Sequence, residues 1–367
     1  MSQTPVTTQP GPDQARLQEI VRRVAEVEST EAPVLTAYLD LRPEAHGEDP
    51  GRRAELVVLR DRLREVQAAY EPHTPAAESL AADVDRLQRH LEDEADRLRA
   101  VEGLAVFACD AAGLWETVTA PVPFETQVSV GPTADLFQLA GLVDEASTTV
   151  VALVDTNTCR LFLTRRGALV ERPGPDEPPD EHRRHDQGGW SQARYQRHVD
   201  MQDKRFAAEA GEAISRLIER TRARHLVVAG DERAVSVLER ELPPSAKAVL
   251  DHVERIGMHA STQDVAEEVA PVLAALRAAE EQDAAQRAIA GWRAGDLGVV
   301  GIDAVAEALE RGQVHELVID EDADVDETLR AELVRQAALT SAEVVTVKAH
   351  ADLARLGGVA ATLRFRL

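Results

Sequence analysis

The chain has 367 residues, 44% of them hydrophobic, and a formal net charge of −24 at pH 7. This hydrophobic content is enough for globular cores and excludes a disordered chain, while the charge argues against broad coating of nucleic acid. No apolar run approaches the ~18 residues of a membrane span, and the first residues lack the order of a signal peptide. We therefore expect a cytoplasmic protein with two or three domains.

The N-terminal part predicts a polar tail followed by a small α/β domain. Residues 1–13 are expected to be a disordered tail, and the domain covers 14–130. Apolar residues at helical spacing and alternating apolar runs mark its elements. The predicted helices are 14–28, 51–70 and 76–100, and the predicted strands are 34–41, 103–110 and 114–120.

The middle part, residues 131–288, begins with a helix at 134–145. Residues 148–171 predict three consecutive antiparallel strands, and a proline-rich loop follows at 172–191. Ser191 is the expected N-cap of a long helix at 192–222. The rest predicts a strand at 225–231, a helix at 232–241 and a connecting helix at 261–288 whose Ser261 and Asp264 form a capping pattern.

The C-terminal part, residues 289–367, alternates helices with strands. Asp303 is expected to cap a helix ending at Arg311, with Gly312 just beyond its end. The other predicted elements are strands at 314–320, 343–349 and 359–365 and helices at 327–340 and 351–356. The acidic run 320–327 lacks the glycine and glutamate of a calcium loop and is interpreted as a solvated turn. The fold class is thus α/β in three domains.

The segment 182–206 has a positive net charge, opposite in sign to that of the whole chain. It has six cations against three aspartates, together with three histidines. Paired glycines let the backbone approach another molecule closely, and a helix N-terminus with arginines nearby favours phosphates. The plain alternative is a mixed-charge solvated loop whose glycines only interrupt the chain before a helix. The cations are Arg183, Arg184, Arg194, Arg197, Lys204 and Arg205.

Known catalytic patterns are absent from the sequence. There is no Gly-x-Ser-x-Gly elbow, no Walker loop and no Gly-x-Gly-x-x-Gly after a strand. We therefore expect neither a nucleotide cofactor nor a metal. Cys109 and Cys159, the only cysteines, lie in apolar strand-like runs and are predicted to be buried thiols.

Three segments, in this order, resemble the archaeal/eukaryotic class-one release factor and Pelota superfamily. VALVDTNTCRLFLTRRG (151–167) is similar to the first hairpin of its RNase H-like middle domain, and HDQGGWSQARYQRHVDMQDKRF (185–206) to its Gly-Gly-Gln loop and following helix. Residues 298–365 resemble its ribosomal-protein-like C-terminal domain. The resemblance spans about 30–367, and similar bacterial proteins include ANKZF-type peptidyl-tRNA hydrolases and Balon-type hibernation factors.

The resemblance implies a role for individual residues. Gly188 and Gly189 match the glycines of the loop that enters the peptidyl transferase centre, but Trp190 occupies the position of the water-orienting glutamine. Gln192, two residues later, is the candidate to position water. Trp190 and the six cations are the candidates for RNA binding. Residues 1–130 lack the Asn-Ile-Lys-Ser motif that reads stop codons.

Two functions follow from this resemblance, and a third stands outside it. The first is a codon-independent enzyme that binds the ribosomal A site and hydrolyses the peptidyl-tRNA ester on stalled ribosomes or large subunits. The second is a non-catalytic rescue or hibernation factor, which Trp190 favours. The third is an acidic α/β protein with an unrelated small ligand. The implied partners are large-subunit RNA and peptidyl-tRNA, with a translational GTPase left open and no DNA or membrane.

Overall fold

Three sheets surrounded by helices confirm the α/β class in the part of the chain that the computed structural model describes. The model divides the chain into two units, which are Met1–Asp144 with Glu280–Leu367, and Glu145–Ala279. The division of the sequence into three domains stays a prediction. The described residues are 14–42, 54–144, 148–165, 168–175, 192–254 and 256–366.

The N-terminal sheet of the first unit is antiparallel, with strand order β3-β2-β1-β4. Its central strand β1 is buried along almost its whole length, because helices cover both faces of the sheet. Leu35, Ala37 and Leu39 face one apolar cluster, and Val34 and Tyr38 face another. The strands are β1 (Val34–Asp40), β2 (Gly103–Cys109), β3 (Leu114–Ala120) and β4 (Gln127–Gly131). The helices are α1 (Gln14–Ala25), α2 (Ala54–Ala68), α3 (Pro75–Asp93), α4 (Ala95–Leu98) and α5 (Phe137–Asp144).

The second sheet of this unit has strand order β10-β13-β11-β12, with β11 and β12 parallel. Its strands are β10 (Gly298–Val300), β11 (Val314–Asp320), β12 (Glu343–Val347) and β13 (Val359–Leu363). Its helices are α9 (Thr262–Arg293), which begins in the other unit, α10 (Ile302–Glu310), α11 (Glu327–Leu339) and α12 (Ala351–Arg355). One apolar cluster joins α1 and α5 to α10 and α11, so the two sheets of the unit share a core.

The middle unit contains a five-stranded sheet of order β7-β6-β5-β8-β9. The first three strands in sequence are antiparallel, as predicted, and β8 and β9 are parallel to β5. This arrangement agrees with the RNase H-like middle domain that the resemblance implies. The strands are β5 (Thr149–Val154), β6 (Cys159–Arg165), β7 (Ala168–Arg172), β8 (His225–Gly230) and β9 (Leu250–Glu254). The helices confined to this unit are α6 (Gln192–Thr221), α7 (Glu232–Glu241) and α8 (Pro244–Lys247).

Local sequence signals at helix ends were right at two sites and wrong at a third. The Ser261 hydroxyl accepts from the Asp264 N–H at 3.1 Å, and the Asp264 carboxylate accepts from the Ser261 N–H at 2.9 Å, which confirms the capping pattern. Gly312 has φ +66° and follows the end of α10 as predicted. Asp303, however, does not cap α10: the N-cap is Gly301, and Asp303 lies inside the first turn.

The acidic run 320–327 is not simply solvated. Asp320 is only 2% exposed, and its carboxylate accepts from the backbone N–H groups of Asp322 and His350. Asp326 caps α11 by accepting from the Leu329 N–H at 3.0 Å. The interpretation as a solvated turn is therefore wrong for Asp320, because the end of a buried strand uses this carboxylate to satisfy backbone donors.

The two cysteines are buried free thiols, as predicted. Cys109 is fully buried in β2, and Cys159 is 6% exposed at the start of β6. Burial raises the pKa of the Cys159 thiol to about 12. Because the thiolate is the reactive form, Cys159 is protected in the folded chain.

Candidate functional site

The predicted site residues fall on both sides of the start of α6. Gly188, Gly189, Trp190, Arg183 and Arg184 lie outside the described residues. Gln192 is the first residue of α6, and Arg194 and Arg197 follow in its first two turns, but their side chains also lie outside the described part. Lys204 and Arg205 are exposed on the same helix. The structure therefore places two of the predicted RNA-binding side chains directly.

Helix α6 is held against the middle sheet by one apolar stripe. Its buried residues recur at helical spacing and pack on the inner faces of β5, β6 and β8. The first buried residue along the helix is Phe206, fourteen positions after Gln192 in the described part of the chain. At 1.5 Å per residue, the helix extends about 21 Å from Phe206 to its start. The stripe consists of Phe206, Ala207, Ala210, Ile214, Leu217 and Ile218.

Two further contacts fix α6 against the neighbouring helices. A Cβ on Gly211 would lie 3.3 Å from the Pro243 ring, so only glycine allows this close approach without a shift. One turn further, the hydroxyls of Ser215 and Ser245 are 2.8 Å apart. The middle of α6 is thus fixed to the segment that joins α7 and α8.

A small cleft lies between α6, α7 and the turn that follows β5. Its walls are mostly apolar, and its volume of about 10 Å³ is roughly that needed for a single water molecule. It is too small for a nucleotide. At its rim, Arg233 Nη2 of α7 lies 3.1 Å from Asp203 Oδ2 of α6.

This ion pair changes the electrostatics of the predicted cationic segment. The Asp203 side chain is only 13% exposed, whereas that of Arg233 is 54% exposed. In the sequence, Asp203 counts as one of three anions that offset the local arginines. In the structure, a cation from outside the segment neutralises it, so the segment is more positive than its own residues suggest. The two residues are 30 positions apart, and no sequence signal connects them.

The residues that precede the glycine-bearing loop and the first buried part of α6 lie at one edge of the middle sheet. Before the loop, a Cβ on Gly174 would lie 2.3 Å from the Cys159 carbonyl oxygen, so the chain passes closely over the start of β6. Fourteen residues after the start of α6, Phe206 and Ala207 line the same cleft as Val154, the last residue of β5. Gly174 and the first buried residues of α6 therefore lie where β5 ends, whereas the start of α6 at Gln192 is about 21 Å further along the helix axis. The carboxyl ends of parallel strands are the usual binding edge of an α/β sheet.

Next to this edge, the backbones of β5 and β8 lie unusually close together. Gly230, the last residue of β8, has φ +131°, and a Cβ there would lie 1.9 Å from the Val154 carbonyl oxygen. Asp231 then caps α7 by accepting from the N–H groups of Arg233 and Ala234 at 3.0 and 3.2 Å. Arg233 is consequently presented from a helix whose start is fixed to the sheet.

Two other kinds of feature are absent from the described residues. No group of three or more His, Cys, Asp or Glu side chains there could hold a metal ion. Within the same ranges, no helix combines the length and the apolarity that crossing a membrane requires.

Comparison with known families identifies the middle of the chain. Residues 135–274 match the model of bacterial archaeo-eukaryotic release factor family 10. The matched segment contains the five-stranded sheet, Gly188, Gly189 and α6. Over these residues the chain is similar to the bacterial branch of the archaeo-eukaryotic release factor superfamily. The resemblance noted in the sequence is thereby confirmed.

Solved structures from this superfamily are similar to the chain at low identity. The archaeal translation termination factor aRF1 is 21% identical over 96% of this chain and 99% of its own, with a TM-score of 0.27. Ribosome-bound archaeal Pelota is 14% identical over 100% and 99%, with a TM-score of 0.43. S. cerevisiae Dom34 is 11% identical over 72% and 80%, with a TM-score of 0.42. With TM-scores below 0.5, these structures add nothing to the family match. No curated protein matches the chain.

Proposed function

We propose that the chain is a codon-independent, release-factor-like protein that binds the ribosomal A site. There it hydrolyses the peptidyl-tRNA ester on stalled ribosomes or large subunits. The observation that carries this proposal is the release-factor match over residues 135–274, which includes Gly188 and Gly189. Codon independence follows from the lack of an Asn-Ile-Lys-Ser motif in residues 1–130. The partners are large-subunit RNA and peptidyl-tRNA, and the need for a translational GTPase is left open.

The chemistry requires no titrating side chain from the protein. Water attacks the ester carbonyl carbon, the bond to the tRNA ribose oxygen breaks, and that oxygen takes up a proton derived from the water. Holding water in a near-attack position supplies much of the rate, and an amide donor stabilises the developing oxyanion. Gly188 and Gly189 would shape the loop, and Gln192 would orient the water.

The surroundings of α6 support this assignment. The helix begins at Gln192 and is fixed further along by a buried stripe, so a residue at its start is carried on a stiff element. Lys204 and Arg205 are exposed on the helix and can meet phosphates. Arg205 Nε also lies 3.1 Å from Glu209 Oε1, but an exposed pair of this kind is weak. The guanidinium therefore retains donors for RNA.

The proposal is tested with large subunits that carry labelled peptidyl-tRNA. We expect the wild-type chain to release the peptide and Gln192→Ala to reduce the rate by 10-fold or more while binding is kept. Gln202→Ala is the matched control, because Gln202 is an exposed amide on the same helix. Equal release by wild type and Gln192→Ala would remove Gln192 from the mechanism.

A second candidate function rests on Trp190. Tryptophan stands where the family has its glutamine, and its indole can stack on an RNA base. In that case the chain occupies the A site as a non-catalytic rescue or hibernation factor. Binding of the wild-type chain to the ribosome without any peptide release, together with weaker binding by Trp190→Ala, is the result that would favour this candidate.

A further inference from the structure

Three large apolar side chains, which we call the Trp292 corner, are exposed in the C-terminal part of the first unit. Trp292 is 43% exposed, Leu297 39% and Phe365 45%. In the rest of the described chain, only Met201 is a large apolar residue that is comparably exposed. Single exposed apolar residues are common on protein surfaces, whereas a group of them marks an interaction site. The place of the three residues in the fold therefore decides whether they form one surface.

The end of α9 and the start of β10 bring the backbones of Trp292 and Leu297 together. Trp292 lies in the last turn of α9, and Leu297 directly precedes β10. A Cβ on Gly298 would lie 2.3 Å from the Trp292 backbone nitrogen, so the start of β10 packs directly on the helix. Gly295, with φ +67°, makes the tight turn between the two elements. Both apolar residues are thus carried on closely packed backbone.

The chain after β13 adds Phe365 to the same corner. The Leu363 N–H donates to the Leu297 carbonyl at 3.0 Å, and Phe365 follows two residues later. The Phe365 carbonyl accepts from Gln313 Nε2 at 3.2 Å. Gln313 is itself buried, so this contact fixes the backbone of Phe365. Because the apolar side chains stand on fixed backbone, a partner would bind here with little cost in chain ordering.

Arginines beside the Trp292 corner outnumber their acidic partners. Arg293 and Arg355 both pair with Asp352, at 3.3 and 3.5 Å, so one carboxylate serves two guanidinium groups. The side chains of Arg364 and Arg366 donate to backbone carbonyls of neighbouring turns. A carbonyl accepts a hydrogen bond without neutralising the positive charge of its donor. The rim of the corner therefore keeps a positive surplus.

This surplus is local and opposes the charge around it. Residues 289–367 contain eight basic and fourteen acidic side chains. The rim is nevertheless positive, even when the exposed Asp296 in the turn after α9 is counted against its arginines. A positive rim around apolar side chains is complementary to a partner that presents carboxylates around apolar residues. Tryptophan, phenylalanine and arginine are also the residue types enriched at protein–protein interfaces.

We propose that the Trp292 corner docks an acidic segment of a partner protein. Apolar side chains of that segment cover the corner, and its carboxylates meet Arg364 and Arg366. RNA fits less well, because Leu297 has no ring on which a base could stack. A second copy of the chain also fits less well, because a two-fold interface would place the arginines of one corner against those of the other. The inference does not rest on the proposed function, since it uses residues outside the matched segment 135–274.

The inference is tested by selecting peptides that bind the full-length chain from a displayed library of short random sequences. We expect the selected peptides to combine Asp or Glu with Leu, Phe or Trp. In fluorescence polarisation, Trp292→Ala and Phe365→Ala should each weaken their binding by about 10-fold or more. Met201→Ala is the control, because it removes an exposed apolar side chain elsewhere. Leu297→Ser replaces either aromatic variant if that variant melts at a lower temperature than the wild type.

The acidic character of the partner is tested with the same peptides. Exchange of their Asp and Glu for Lys should weaken binding by about 10-fold or more. Arg366→Gln should bind the original peptides more weakly than the wild type, with a smaller effect of salt. Selection of no peptide, or equal binding by the wild type and the Trp292→Ala and Phe365→Ala variants, would overturn the inference.

The other occupants give different results. Sedimentation equilibrium of the free chain that shows a dimer, dissociated by Phe365→Ala, would assign the corner to a second copy. Binding of a labelled single-stranded RNA oligonucleotide that Trp292→Ala weakens, but Met201→Ala does not, would assign it to RNA. Either result would overturn the proposed acidic protein partner.

Discussion

Asp83 is a carboxylate whose burial outweighs the nearby charge of Arg86 and the hydrogen bond that it accepts. It lies on the inner side of α3, is 1% exposed, and accepts from the Asp110 N–H at 3.2 Å. The neighbouring Ser79 hydroxyl accepts from the Ala111 N–H at 3.1 Å. Together they hold the turn between β2 and β3. Burial, only partly offset by this hydrogen bond, raises the pKa of Asp83 to about 6.

The raised pKa fixes the sign of a pH dependence. An unfolded aspartate ionises near pH 4, so between about pH 4 and pH 6 the folded chain holds a proton that the unfolded chain has lost. Stability contributed by Asp83 therefore falls as pH rises through this window. Asp83→Asn should match wild type at pH 4 and be more stable at pH 7, by on the order of 1 kcal/mol after solvent screening.

The measurement is urea unfolding of both proteins at several pH values. Asp85→Asn is the control, because it removes an exposed carboxylate from the same helix. A gain that is equal at pH 4 and pH 7 would show that Asp83 does not titrate in this way.

At the scale of elements, the tightest junction is between β5 and β8. Gly230 has φ +131°, and a Cβ there would lie 1.9 Å from a backbone oxygen of β5. Gly230→Ala must therefore separate the two parallel strands, and we expect a loss of 3 kcal/mol or more. Gly113→Ala is the control: its φ is +66° but nothing lies within 4 Å, so about 1 kcal/mol is expected. Thermal melts of similar Tm for the two variants would contradict this ranking.

The strands that sequence analysis predicted and those that it missed differ in burial. β1, β5 and β8 are apolar on both faces and were located within one or two residues. β4 is only partly buried along its length, and β10 has three residues. β10 is too short to show an alternation, and β4 alternates over only five residues, Gln127–Gly131; each is an edge strand defined by the neighbour it pairs with. β9, also at an edge and with polar residues in its sequence, was missed for the same reason.

The candidate site was predictable only where its signal is local in the sequence. The glycine pair, the cationic segment and the long helix that follows are visible in residues 182–222. The Asp203–Arg233 pair and the close approach of Gly211 to Pro243 each join residues about 30 positions apart in the sequence. Contacts of this kind arise only when the sheet brings α6 and α7 together, so periodicity could not reveal them.

For the whole molecule, the N-terminal and C-terminal sheets should unfold together. Arg335 of α11 is 11% exposed, pairs with Glu332 at 2.8 Å and donates to the Ala25 carbonyl of α1 at 3.4 Å. Arg335→Ala removes the donor to the Ala25 carbonyl and the ion pair with Glu332, so we expect a loss of roughly 1–3 kcal/mol. Hydrogen exchange should show lower protection in β1 and β11 and unchanged protection in β5 and β8.

The control for this prediction is Arg355→Ala, which removes an exposed ion pair with Asp352 from the same unit. Lower protection in β11 without any change in β1 would mean that the two sheets do not form one cooperative unit.

With a net charge of −24, the proposed ribosome binding requires a focused surface rather than the chain as a whole. We propose that Arg194 and Arg197, with the exposed Lys204 and Arg205, provide such a surface on the first half of α6. Each phosphate contact lowers the logarithm of the binding constant by about 0.7–0.9 per decade of salt. Both proposed functions require this binding.

The measurement that tests the account most directly is co-sedimentation with large subunits and 70S ribosomes over a range of salt concentrations. The wild type should bind at low salt, and Arg194→Glu/Arg197→Glu should bind at least 10-fold more weakly with a salt slope reduced by about 1.5. Arg216→Glu/Arg220→Glu, at the other end of α6, should behave as the wild type. Failure of the wild type to sediment with ribosomes, or identical curves for the wild type and Arg194→Glu/Arg197→Glu, would contradict the account.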